Sequence, residues 1–126
     1  MLSKIQTHKF IFFADAHAEK YIHKALSVSR HYPAAYALKG DIYIWDSLKA
    51  DPEYSKKKDL KLAIDGYEDA AKYAQDKEFE ASIYLKMGNA YASLVDDRKK
   101  AKEFWKKAAD AAPSSSAAKT AQEKLR

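Results

Sequence analysis

From residue 34 onward the apolar positions of the chain recur in steps of three and four. Ala63, Tyr67 and Ala70 have this spacing, and Ala101, Trp105 and Ala108 repeat it; a third set, Ala18, Ile22 and Ala25, stands nearer the start. Such steps place each set on one stripe of an α-helix, which turns once in about 3.6 residues. A different set, Tyr36, Gly40 and Tyr43, returns as Tyr84, Gly88 and Tyr91. Glycine inside a helix costs about 1 kcal/mol relative to alanine, so its return between two tyrosines points to a packing need for an absent side chain.

The two patterns alternate. They predict a glycine-bearing helix over about 34–49, an alanine-bearing helix reaching about 75, a glycine-bearing helix over 79–94 and an alanine-bearing helix over 98–112. Helical hairpins stacked in series follow, each too small to bury its apolar stripe alone. On these residues the chain resembles the tetratricopeptide repeat (TPR) family. In that family the first helix carries an aromatic, Gly and Tyr, and the second carries Ala, an aromatic, Ala and a closing Pro. Tyr84, Gly88, Tyr91, Ala101, Trp105, Ala108 and Pro113 match most fully. Tyr36, Gly40, Tyr43, Ala63, Tyr67 and Ala70 match without the closing Pro, and with about ten extra residues between the helices.

The resemblance covers 34–113 and implies an all-α, TPR-like α-solenoid of stacked antiparallel helix hairpins in a single domain. Residues 1–33 would be a degenerate repeat, 34–77 a repeat with both helices lengthened, 78–113 a repeat and 114–126 a capping helix. Asp51-Pro52-Glu53 is a good helix start, and Lys56-Lys57-Lys58 would lie on a solvated face. Ser114-Ser115-Ser116 offers caps for the last helix, whose Ala117, Ala118, Ala121 and Leu125 share one side. For the N-terminal stretch two arrangements stand open: a short helix through Leu2, Ile5 and Phe10 followed by a second, or one helix from about 3 to 30.

Composition adds exclusions. Apolar residues make up 47% of the 126 and charged ones 33%, with three Gly, three Pro and no Cys. Disulfides and thiolate zinc sites are therefore out of reach. No 18 apolar residues run together, which excludes a membrane-spanning helix. The apolar run Phe10 to Ala14 is shorter than the roughly 7–15 residues of a secretory signal, which favours a cytoplasmic location. The net charge of +5 is moderate and weakly favours acidic partners.

Candidate chemistry is sparse. His8, His17, His23 and His31 are separated by nine, six and eight residues, which is not metal-ligand spacing on a helix. Asp96-Asp97 reads as a helix cap, and Asp65 with Asp69 or Glu78 with Glu80 as solvated carboxylates. No phosphate-binding glycine loop or nucleophile turn is present, so no enzyme, metal or cofactor is expected. Arg98, Lys99, Lys100, Lys102, Lys106 and Lys107 cluster around Phe104 and Trp105, but Trp105 falls in a core position, which argues against a nucleic-acid surface.

The resemblance implies a protein partner, bound as a peptide or helix in a concave groove lined by the first helix of each hairpin. On this sequence that face would expose Ala37, Asp41, Ile44, Trp45, Leu85, Asn89, Ala92 and Ser93, with Trp45 alternatively packed near Tyr54. Some members of the family grip acidic chaperone tails with Lys and Asn four residues apart. Here Asn89 fits, but Leu85 stands in the Lys place, so that clamp is not expected. The function so implied is an adaptor, scaffold or assembly factor. Alternatives are a chaperone for a secreted or membrane-associated protein and a nucleic-acid-associated helical repeat; self-association is open to any of them.

Overall fold

A computed structural model describes residues 20–27, 32–49 and 56–126, the side chains of 46–49 and 56–58 excepted. The described chain is all-helical. Helix α1 covers 20–27, and α2 (Pro33–Lys49), α3 (Lys56–Lys72), α4 (Lys77–Leu94), α5 (Arg98–Ala111) and α6 (Ser116–Leu125) follow. The predicted starts at Leu2 and Asp51 lie outside the described residues. The segment between α2 and α3, where the extra residues of the first hairpin fall, lies outside the described residues, and with it the expected lengthening of both helices.

Side chains set the helix ends. Asp76 accepts a hydrogen bond from the Phe79 amide at 2.7 Å, starting α4, and Asp97 accepts from the Lys100 amide at 3.0 Å, starting α5. Ser115 is the residue of the serine run that caps α6. Its hydroxyl oxygen accepts from the Ala118 amide at 3.1 Å and donates to the Ala112 carbonyl at 2.7 Å. Each cap satisfies an N–H that the first helical turn leaves without an internal partner. Between α4 and α5 the chain reverses through Asp96, whose φ of 51° lies in the left-handed region that Asp and Asn tolerate best among residues with a side chain.

Each helix from α2 onward packs on the next. In addition α2 meets α4 and α4 meets α6, whereas α3 and α5 bring no pair of Cα atoms within 8 Å. Within hairpins the helices run antiparallel: Gly40 faces Ala63 and Tyr67 while the earlier Tyr36 stacks on the later Tyr73. The main core joins α2, α3 and α4 through Ala37, Leu60, Ile64, Tyr67, Ile83 and Met87. A second joins α4, α5 and α6 through Ala101, Trp105, Ala108 and Ala121.

Gly40 and Gly88 have matching surroundings. A Cβ on Gly40 would fall 2.6 and 2.7 Å from Tyr67 ring atoms and 3.0 Å from the Ala63 carbonyl oxygen. A Cβ on Gly88 would fall 2.5 Å from two Trp105 ring atoms and 3.0 Å from the Ala101 carbonyl oxygen. Each glycine is thus the slot into which the partner helix lays its ring. That gives the physical reason for tolerating its poor helix propensity, because overfilling a close-packed interface costs more than the propensity gains.

Candidate functional site

The polar residue that follows each glycine completes the interlock. The Tyr67 hydroxyl donates to Asp41 Oδ1 at 2.6 Å, and the Trp105 indole N–H donates to Asn89 Oδ1 at 3.1 Å. Asp41 also accepts both arms of a contact from Lys86 Nζ on α4, at 3.0 and 2.8 Å. The Tyr67 hydroxyl titrates far above the ordinary tyrosine value, first because it is buried and then because Asp41 accepts its proton in a hydrogen bond.

These contacts redistribute the predicted groove residues. Asp41 and Asn89 serve the hairpin interior. Ala37, expected on an exposed face, is buried at 7% exposure: its small side chain lies in the core that α2 shares with α3 and α4. Leu85 is half-buried against both clusters that α5 and α6 complete, and Ala92 against the second core, so α5 and α6 cover this part of α4. Ile44 is half-buried against the first core. What stays outward is Ser93, whose hydroxyl donates to the Asn89 carbonyl at 2.8 Å, and Trp45, which is 47% exposed. Tyr54, the alternative neighbour of Trp45, lies outside the described residues.

Most residues of the repeated motif are buried. Ala63, Ala70, Ala101 and Ala108 are fully buried, Tyr67 and Trp105 nearly so, and Pro113 is exposed in the turn before α6. Tyr43 packs half-buried on the first core, and Tyr91 stacks on Phe104 with ring centres 5.6 Å apart. Tyr84 donates to Glu80 at 2.9 Å, and its hydroxyl is raised in pKa mainly by burial. The basic side chains of α5 are all exposed, as expected for a solvated face. Of the four histidines only His23 is described, and it is exposed. Among the described residues no three His, Asp or Glu side chains could share a metal ion, and no helix is long and apolar enough to cross a membrane.

On the opposite side of α4 lies a cleft that sequence reasoning missed. Its volume is about 290 Å³, and Glu68, Ala71 and Lys72 of α3, Tyr84 and Met87 of α4, and Phe104 and Lys107 of α5 line it. It lies where α3 and α5 both pack on α4 without meeting each other, a long-range relation between helices that local spacing does not carry. The available hint was Phe104 beside Trp105: adjacent helical residues point about 100° apart, so two neighbouring rings cannot both face one partner. No family model, curated protein or solved structure matches the chain.

Proposed function

We propose that this chain is a TPR-like helical-repeat module that binds a segment of another protein. In this reading α2/α3 and α4/α5 are successive units of an α-solenoid, α6 is its cap, and the partner lies along the side where α2 and α4 meet. The observation that carries it is the duplicated interlock, Gly40 with Tyr67 and Asp41, then Gly88 with Trp105 and Asn89. A chain that builds the same joint twice makes a stack of rods, and stacked rods offer extended surfaces to partners. The side-by-side approach of α2 to α4 and of α4 to α6 supports the same arrangement. Trp45, half-exposed beside Ile44, supplies the kind of aromatic anchor in which interfaces concentrate their energy.

Trp45→Glu tests the proposal, because it changes an outward side chain and leaves both interlocks whole. Affinity capture with wild type should retain a protein that Trp45→Glu loses while its thermal melt stays that of wild type. In a Trp105→Phe background Trp45 is the sole indole, and its emission should shift to the blue when that protein binds. Equal capture by wild type and Trp45→Glu would remove this surface from consideration.

A further inference from the structure

The cleft between α3, α4 and α5 carries a second inference, independent of the surface around Trp45. Its floor is apolar: Met87 is fully buried, and Ala71, Tyr84 and Phe104 are half-buried around it. Its volume of about 290 Å³ suits the insertion of a side chain more than the engulfing of a whole small molecule.

The rim is charged, with a direction. Lys107 Nζ stands over the Phe104 ring, 5.0 Å from its centre, and 5.9 Å from the centre of Tyr84. Lys72 projects from the facing helix, and neither lysine forms an ion pair with a carboxylate among the described residues. Glu68, one turn before Lys72, is near enough to Tyr91 to raise the pKa of its hydroxyl, although burial is the larger cause. The Tyr84 end of the cleft is therefore the basic end, with Lys107 over the ring, whereas toward Tyr91 Glu68 stands among charges of both signs, Lys100 included. Besides Lys107, α5 carries five more basic side chains against only Glu103 and Asp110.

We propose that this cleft docks an acidic protein segment, with one apolar side chain seated on Met87, Ala71, Tyr84 and Phe104 and carboxylates drawn to Lys72 and Lys107. Charge complementarity orients such a segment and speeds its encounter, and Glu68 repels the reversed orientation. Nucleic acid fits less well, because single-strand binders need an open aromatic face on which to stack a base. Phe104 offers none, with Tyr91 stacked on it and the Lys107 ammonium over the ring.

The test uses blocked peptides and the intact chain, followed by amide NMR shifts and by binding isotherms. Asp-Glu-Leu-Asp-Glu should move the amides of Ala71, Met87, Phe104 and Lys107. Replacing its Leu by Ser, or its acids by Asn and Gln, should weaken binding about tenfold or more. Lys72→Gln with Lys107→Gln should do the same, and these exposed positions do not endanger the fold. Ala71→Leu, which fills the cleft at constant charge, should also abolish the shifts. The proposal is overturned if the Ser peptide binds as well as the Leu peptide, or if millimolar peptide moves none of these amides. It is equally overturned if oligothymidylate binds more tightly than the peptide, with shifts confined to the outer lysines Lys99 and Lys106.

Discussion

The two central hairpins reach the same close contact through different chemistry. In α2/α3 backbone meets backbone: Gly66 faces Gly40 and Tyr36, and a Cβ there would lie 3.1 to 3.3 Å from main-chain atoms of α2. In α4/α5 the place of Gly66 belongs to Phe104, which stacks on Tyr91. The polar halves differ too. Asp41 is an anion that binds Tyr67 and reaches Lys86 on α4, tying one hairpin to the next, whereas Asn89 is neutral and receives the Trp105 indole of its own hairpin. The ring slot is common to both hairpins; what surrounds it is free to vary, so long as every buried polar atom keeps a partner.

The comparison breaks most visibly at the ring. Trp105→Ala removes the largest side chain of the second core and strips Asn89 of its donor. It should cost about 3–5 kcal/mol in denaturant melts, and a cost under about 1 kcal/mol would displace the ring from its role. Next come the slots. Gly40→Ala and Gly88→Ala each gain helix propensity, but each new Cβ would stand 2.7 Å or less from ring atoms backed by a close-packed core. Both should lose about 1–3 kcal/mol, by similar amounts if the joints are equivalent. A stabilised Gly88→Ala beside a destabilised Gly40→Ala would show that the likeness is superficial.

The ring slots were legible in the sequence because they are local. Four-and-three spacing fixes which side chains share a helical stripe, and Tyr67, Trp105 and the alanines between them need only that stripe to be buried. Asp97 and the serine run that holds Ser115 were legible as caps for a like reason, their bonds spanning three residues, whereas the cap at Asp76 went unread. The outward face was less legible. Whether Ala37 or Leu85 is covered depends on where α4 and α6 come to rest, and Lys86 finds Asp41 across 45 residues. The same long-range placement opens the cleft of Phe104 and Lys107.

The polar halves separate at high pH. The Tyr67 hydroxyl keeps its proton well above the ordinary value of 10 in the folded chain and loses it near 10 once unfolded. The stability tied to that proton is therefore complete below about pH 10 and declines as pH rises further, by about 1.4 kcal/mol per unit for this one group. Tyr67→Phe should lower stability at neutral pH by about 0.5–1.5 kcal/mol, the usual net value of a hydrogen bond, with Asp41 still held by Lys86. Its alkaline decline should also be shallower than that of wild type. Parallel declines would mean that Tyr67 does not contribute.

Gly66→Ala has the smallest expected effect and reports on the backbone contact that only the first hairpin has. The new methyl would meet the Gly40 nitrogen and Tyr36 oxygen at 3.1 Å and the Gly40 Cα at 3.3 Å, tight but short of the overlap at either ring slot. A side chain could turn away, whereas main chain inside a helix moves only with its helix, so α2 and α3 must separate by a few tenths of an ångström. Against this stands the propensity gain of about 1 kcal/mol. The two terms nearly offset, and the variant should melt within about 1 kcal/mol of wild type, on the unstable side, because separation also loosens the Tyr67 ring in its slot. The double variant Gly66→Ala with Tyr67→Phe checks that coupling. If the ring and the backbone contact share one joint, the two losses will not add; simple additivity would make Gly66 a spacer between helices and leave the lock to Gly40 alone.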